Sequence, residues 1–191
     1  GNLIIEQGND DADIIFKSDD GSGGVETYFF LDGSGNSGNN PRTVFPDNSS
    51  IVVGTGNDLF IKHTGTNSEI FNFTGDLIIG NHGNDKDIIF QCDDGSGDVA
   101  EYFRLDGGAT SSGALHTIWP DNSRVVFGSG SDAYIRHSGS DLLISNATGA
   151  MGFYQQADDG DMKFFCDDGS GGNAEYFRLD GGDEKIYAYK D

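Results

Sequence analysis

An all-β fold is the fold class that the sequence predicts. Three observations predict it: short apolar runs that start about ten residues apart, turn-forming residues in the gaps, and no sustained 3.6-residue apolar period. Between positions 1 and 74 the runs are Leu3–Ile5, Ile14–Phe16, Tyr28–Leu31, Thr43–Phe45, Ile51–Val53, Leu59–Ile61 and Ile70–Phe73. We therefore expect a strand at each run and no helix.

Two turn signals separate these runs. Asp-Asp-Gly-Ser-Gly at residues 19–23 joins two β-rich segments, and glycine supplies the positive φ that a tight hairpin needs. Phe-Pro-Asp-Asn-Ser at 45–49 ends a strand, because proline lacks the amide donor and Asp-Asn-Ser favours a turn. We expect a hairpin tip at the first segment and a connecting turn at the second.

Composition and charge exclude several classes of protein. The 191 residues hold 11 Lys and Arg against 32 Asp and Glu, for a net charge of −21, and 35% are hydrophobic. The 30 glycines have no side chain to bury, so a core could draw only on that 35%, and we expect no single large core. No apolar stretch is long enough for a membrane helix, which argues against membrane insertion. The negative charge argues against a nucleic acid partner, since phosphates would repel it.

One internal repeat accounts for most of the chain. The segments 1–74 and 75–148 align without a gap, and 36 of their aligned positions, about half, are identical. A third copy starts at 149 and stops mid-repeat at 191, so we expect the natural polypeptide to continue, or a different cap to begin there. The sequence predicts a β-repeat at 1–74, a second at 75–148 and a partial repeat at 149–191.

The repeat predicts an elongated, repetitive β structure. Copies of equal length indicate that the loops too are constrained, as stacking along an axis requires. A lone open sheet would leave its edges exposed, whereas three-fold closure removes them and lets three thin apolar stripes share one core. We expect an intertwined homotrimeric β-helix or β-prism; a single-chain β-solenoid is the alternative.

Three patterns in the sequence carry a resemblance to a known repeat family: TGDLII, DIIFxxDDGSGxVxxYFxLDG and PDNSxxVxGxGxDxxIxHxGxxxxIxNxTG. They resemble repeats of tail-fibre and other virion structural proteins of marine bacteriophages. The resemblance implies a fibre shaft on the virion surface, outside the cell, that holds a host-recognition tip away from the particle. It implies other fibre or baseplate proteins as partners.

Two further functions stay open at this point. One is a carbohydrate-binding adhesin module that meets host surface glycans, and the other is a self-polymerising extracellular fibril. No nucleophile, base and acid recur together, and no phosphate loop is present, so the sequence predicts no enzyme.

Aspartate pairs at the hairpin tips are the candidate metal ligands. The pairs are Asp19 and Asp20, Asp93 and Asp94, and Asp167 and Asp168. Oxygen ligands suit Ca²⁺ or Mg²⁺, and a cation would screen the repulsion in an acidic homotrimer. The alternative is that the pairs are ordinary turn formers and no cofactor is bound. The segment 54–60 resembles a calcium-binding nonapeptide, but its copies start at 54 and 128 instead of following one another directly, so a simple glycine turn is the alternative.

Three further residue types repeat at fixed positions. Asn48, Asn72 and Asn146 head glycosylation sequons, which would be used only in a secreted protein and would stay bare in a phage product. Tyrosines at 28, 102 and 176 could stack on sugars, or pack in the β core or between subunits. Cysteines at 92 and 166, with serine at 18 in the first copy, are expected to be small buried residues that form no disulfide. In a trimer, three copies of one cysteine could approach the axis.

Overall fold

The computed structural model describes residues 1–35, 40–108 and 113–189, and these residues are all-β, as predicted. They contain no helix, and hence no helix that could cross a membrane. The last two residues of the third predicted repeat, 190 and 191, lie outside the described ranges. The backbone divides into two units, Gly1–Gly80 and Asn81–Asp191, while the predicted repeat boundaries stay predictions.

The first unit holds two antiparallel sheets of three strands, each a meander in chain order. The first sheet contains β1 (Ile14–Asp19), β2 (Val25–Asp32) and β3 (Arg42–Val44). The second contains β4 (Ser50–Val53), β5 (Leu59–His63) and β6 (Ser68–Asn72). In each sheet every strand pairs antiparallel with the strand that follows it in the chain.

The second unit holds three sheets of the same kind. One contains β7 (Ile88–Asp93), β8 (Val99–Asp106) and β9 (His116–Ile118). The next contains β10 (Val125–Phe127), β11 (Ala133–His137) and β12 (Leu142–Asn146). The last contains β13 (Met162–Asp167), β14 (Asn173–Asp180) and β15 (Lys185–Ala188).

Three of the five sheets share one register and one irregularity. Leu31, Leu105 and Leu179 each pair with the first residue of the preceding strand, and a β-bulge follows the third residue of that strand in all three. A bulge adds one unpaired residue and bends the strand. The extra residue is the tyrosine at 28, 102 or 176, so the same side chain is re-aimed in each sheet.

Both predicted turns are present. The Asp-Asp-Gly-Ser-Gly segment forms the tip of the β1–β2 hairpin. In the second turn Ser49 donates its backbone N–H to the Pro46 carbonyl at 2.9 Å, and Asn48 has a φ of 66°. The Ser49 hydroxyl donates to the Tyr28 carbonyl at 2.6 Å, and Ser123 makes the equivalent bond at 2.7 Å. This bond ties the turn to the bulge of the preceding sheet.

One predicted strand is wrong. The run at Leu3–Ile5 has no strand assignment, and neither does its equivalent at 77–79. Leu3 is 89% exposed and Ile78 is 84% exposed. A strand needs a hydrogen-bonded neighbour, and no described segment of the chain pairs with either run, so apolar content alone does not make a strand.

The described residues have no buried core. No side chain among them, apolar or polar, is buried. The accessible surface of the chain is 14948 Å², whereas a compact monomer of 20.4 kDa would expose about 8800 Å². Two separate compact domains of these unit lengths would together expose about 10600 Å². The chain therefore exposes about 4300 Å² more than compact folding of each unit would leave.

Candidate functional site

The second aspartate of each hairpin tip closes its own turn. Asp20 accepts at Oδ1 from the Ser22 N–H at 2.7 Å, the Ser22 hydroxyl at 2.8 Å and the Gly24 N–H at 3.0 Å. Asp94 and Asp168 accept equivalent bonds from the serine two residues later and the residue four later. An aspartate that bonds the backbone two residues ahead is a standard turn former.

These hydrogen bonds shift the titration of the same carboxyls. The Ser22 and Gly24 amides hold the pKa of Asp20 below its usual value. For Asp94 the hydroxyl of Ser96 is the main cause of a lowered pKa, and for Asp168 it is the hydroxyl of Ser170. Hydrogen bonds to the ionised form favour it, so the three turns are built for charged aspartate.

The first aspartate of the pair has a different part in the turn. Asp93 accepts at Oδ1 from the Gly95 N–H at 2.8 Å, and Asp167 accepts from the Gly169 N–H at 3.0 Å. The carbonyl of Asp19 accepts from the Tyr28 hydroxyl at 2.9 Å. The two aspartates of a pair therefore have separate roles within one hairpin.

The aspartate pairs make their hydrogen bonds within their own turns. Within residues 1–35, 40–108 and 113–189 no group of three or more His, Cys, Asp or Glu is placed to hold a metal ion. The Ca²⁺ or Mg²⁺ site stays a prediction. A melting temperature that neither a chelator nor millimolar Ca²⁺ changes would contradict it.

The nonapeptide-like segment also closes on itself. Asp58 accepts at Oδ1 from the Thr74 hydroxyl at 3.1 Å, and its N–H donates to the Val53 carbonyl at 3.1 Å. Gly54 has a φ of 91°, and a Cβ built there would overlap Oδ2 of Asp58. The glycine thus makes room for the carboxylate inside the turn between β4 and β5.

Two of the predicted glycosylation residues use their amide nitrogen inside the fold. Asn72 donates from Nδ2 to the Thr74 and Gly75 carbonyls, both at 2.9 Å. Asn146 donates to the equivalent carbonyls at 2.7 and 3.2 Å. These bonds give a donor to the backbone carbonyls that follow β6 and β12. A glycan attached at Nδ2 would disturb them. Asn48 is exposed in its turn.

The bulge tyrosines are exposed and fixed in direction. Tyr28 is 48% exposed, Tyr102 is 49% exposed and Tyr176 is 38% exposed. Each hydroxyl donates to a backbone carbonyl at the hairpin tip, at 2.9 to 3.1 Å: those of Asp19, Asp93 and Asp167. Within one chain, therefore, these rings do not pack in a buried core. They are held in place with part of the ring open to solvent.

The three sheets with the shared register each have two unlike faces. In the β7–β9 sheet, Phe90 stacks on Phe103 at 4.5 Å between ring centroids, and Phe103 stacks on Trp119 at 5.7 Å. We call the side that carries these rings the aromatic face. The first sheet has the equivalent pairs Phe16–Phe29 at 4.5 Å and Phe29–Phe45 at 5.6 Å, and the last has Phe164–Phe177 at 4.2 Å.

The opposite side, the charged face, holds an ion-pair cluster that sequence reasoning missed. Arg104 lies 2.7 Å from Glu101, 3.1 Å from Asp106 and 3.5 Å from Asp87. The hydrogen bond that Arg104 donates to Glu101 is the main cause that raises the pKa of the Arg104 guanidinium. A signal was available in the sequence, because Glu and Arg together replace Thr27 and the phenylalanine three residues after it.

Arg178 occupies the equivalent place in the last sheet. It lies 2.9 Å from Asp180, 3.5 Å from Asp161 and 3.9 Å from Glu175. One arginine thus neutralises part of the carboxylate charge on this face within its own sheet.

A cleft of about 970 Å³ opens between the two sheets of the first unit. Ile15 and Phe30, which lie on the charged face of the first sheet, line it together with Val52 and Phe60 of the second sheet. The charged face therefore turns toward the second sheet. The aromatic face of the first sheet, with Phe16, turns away from it.

Comparison with known proteins gives no family assignment. No family model matches the chain, and neither a curated protein nor a solved structure is significantly similar to it.

Proposed function

We propose that this chain is a structural segment of a bacteriophage virion fibre that works as a homotrimer. The observation that carries the proposal is the lack of any buried side chain in the described residues, together with about 4300 Å² of accessible surface beyond that of compact units. Obligate interfaces bury areas of about 2000–5000 Å². With no fully buried side chain among the described residues, an isolated chain has little burial to offset conformational entropy, and partner copies would supply more.

The repetition of one sheet design supports a shaft. The same register, bulge and stacked rings recur once in each copy of the repeat, which suits a structure lengthened by adding repeats. The finer architecture we propose is an intertwined β-helix or β-prism of three chains. A single-chain β-solenoid is the alternative.

The function proposed is mechanical. A stiff β shaft on the virion surface, outside the cell, would hold a host-recognition tip away from the particle. Its partners would be other fibre or baseplate proteins. The acidic surface suits this role, since net charge of one sign keeps a protein soluble and limits non-specific binding.

The mass of the protein in solution tests the proposal. We expect sedimentation equilibrium to give three times 20.4 kDa, and averaged electron micrographs to show three-fold symmetry. A stably folded species at the mass of one chain would contradict the homotrimer and favour the solenoid. End-to-end filaments would favour the self-polymerising fibril instead.

The exposed bulge tyrosines favour a second candidate, a carbohydrate-binding adhesin module. Aromatic rings open to solvent and repeated along a chain can present stacking platforms for sugars. Binding of this segment alone to a glycan array, lost when Tyr28, Tyr102 and Tyr176 are replaced by alanine, would support the adhesin. An array without binding would leave the shaft as the better function.

A further inference from the structure

The aromatic faces of the β7–β9 sheet and of the last sheet carry no charged residue among their paired positions, in a chain that is strongly acidic. In the β7–β9 sheet, the residues paired on this face are Ile88 with Leu105, Phe90 with Phe103, and Cys92 with Ala100. The last sheet pairs Met162 with Leu179, Phe164 with Phe177, and Cys166 with Ala174 on the same face. None of these twelve residues is Asp, Glu, Lys, Arg or His. In the first sheet the paired residues include one charged side chain, Glu26.

The charged residues of the same strands lie on the other face. Register places Asp93, Glu101, Arg104 and Asp106 there, since side chains alternate along a strand. The strands therefore separate charged from uncharged side chains by face. A low overall charge does not explain this, because the chain has a net charge of −21.

The aromatic face is open despite its composition. Phe90 is 41% exposed, Trp119 is 43% exposed and Leu105 is 44% exposed. Phe164 and Phe177 on the last sheet are 41% and 40% exposed. A patch of stacked rings that is left open in one chain marks a surface for association.

We propose that the aromatic faces are the surfaces through which copies of this chain pack against one another. This inference rests on the proposed homotrimer and names its interface. The occupant is a second copy because of charge: bringing two chains of −21 together costs least where neither presents a carboxylate, as on the aromatic faces of the β7–β9 sheet and the last sheet. The accessible surface that one chain leaves beyond compact packing is also of the size that such contacts bury.

Two cysteines report directly on this interface. Cys92 and Cys166 lie on the aromatic face and are free and exposed in the single chain. In an assembly packed through this face their thiols are covered. We expect them to react with an aromatic disulfide reagent at least about tenfold slower in the assembled protein than in the protein dissociated by urea.

A matched thiol on the charged face gives the control. Gln91 is the neighbour of Cys92 in β7, is exposed, and points to the other face. In a protein with C92S and C166S, the Gln91→Cys thiol is expected to react at nearly the rate of the dissociated chain. Serine is acceptable at the replaced positions because Ser18 occupies the equivalent place in the first sheet.

A charge placed on either face gives an independent readout. Phe90→Glu puts a carboxylate on the aromatic face and is expected to weaken association at least about tenfold. Ile89→Glu, one residue earlier and 49% exposed, adds the same charge to the charged face beside Arg104 and is expected to leave association nearly unchanged.

The outcomes separate the interface from the proposed function. A multi-chain mass with rapid reaction at Cys92 and slow reaction at Gln91→Cys would overturn the aromatic interface and leave the homotrimer standing. A folded species at the mass of one chain would overturn both. Slow reaction at Cys92 in a multi-chain species, with the Gln91→Cys thiol reactive, supports the interface even if Phe90→Glu does not fold.

Discussion

At the scale of single residues, the glycine after each Leu-Asp pair is fixed by a close approach of the backbone. A Cβ on Gly107 would overlap the Lys86 carbonyl oxygen, and the Gly107 N–H donates to Asp87 at 2.9 Å. We expect Gly107→Ala to lower the free energy of unfolding by about 1–3 kcal/mol, because the strand end must move away. The measurement is urea unfolding at one protein concentration.

The next residue gives the control for that substitution. A Cβ on Gly108 would meet its nearest neighbour at 3.6 Å, which is ordinary contact. We expect Gly108→Ala to change the free energy of unfolding by less than about 0.5 kcal/mol. Equal effects at both positions would contradict the steric argument.

The turn aspartates predict a dependence of stability on pH. The folded pKa values of Asp20, Asp94 and Asp168 lie below the ordinary 3.8. Their charged forms therefore stabilise the fold above pH 3.8, and this contribution is lost as the pH falls through the lowered values. Relative to the D20N, D94N and D168N triple variant, the wild type should melt at higher temperature near neutral pH.

Comparing the wild type with the triple variant separates the effect of these three carboxyls from that of the other acidic groups. Both proteins share every other acidic group, so the difference in melting temperature reports only the replaced side chains. We expect that difference to shrink toward zero below pH 3.8. A difference that stays constant from neutral to acidic pH would show that ionisation of these turns does not contribute.

At the scale of a sheet, the Arg104 cluster predicts that replacing Arg104 alone lowers the melting temperature more than replacing Arg104 together with Glu101. Arg104→Ala leaves Asp87, Glu101 and Asp106 facing one another without their cation, and like charges this close repel. The first sheet has Thr27 and Phe30 at the positions of Glu101 and Arg104.

The matched control therefore takes its residues from the chain itself. We expect R104A to lower the melting temperature, and E101T with R104F to lower it less than R104A does. The measurement is thermal unfolding at one protein concentration. If the double variant melts below the single variant, the cluster is not held by charge compensation.

The strands show what pattern alone can establish. Six of the seven runs between positions 1 and 74 became strands, because each has a neighbouring strand to pair with. The run at Leu3–Ile5 has the same apolar content but no partner strand, and a pattern within one segment holds no information about a distant partner. The bulges were not predicted for the same reason, because the register that defines a bulge is a property of two paired strands.

The candidate sites also differ in whether their residues are close together in the sequence. The sequence located the aspartate turns because their residues are adjacent along the chain. It missed the cluster of Arg104 with Asp87, since those two residues meet only across the hairpin and their alignment depends on the bulge.

At the scale of the whole molecule, charge and apolar surface oppose each other in assembly. Each chain has a net charge of −21, so the proposed homotrimer would carry three times that charge and repel itself. The aromatic faces offer attraction without ion pairs, and hydrophobic attraction does not weaken as salt rises. The two contributions can therefore be separated by ionic strength.

Salt is expected to strengthen the assembly. Raising ionic strength from about 0.01 M to about 1 M shortens the Debye length from about 30 Å to about 3 Å and screens the repulsion between chains. Sedimentation equilibrium at both salt concentrations should show tighter association at high salt for the wild type and for Ile89→Glu. An interface held by ion pairs would weaken under the same change, so dissociation at high salt would contradict packing through the uncharged aromatic faces.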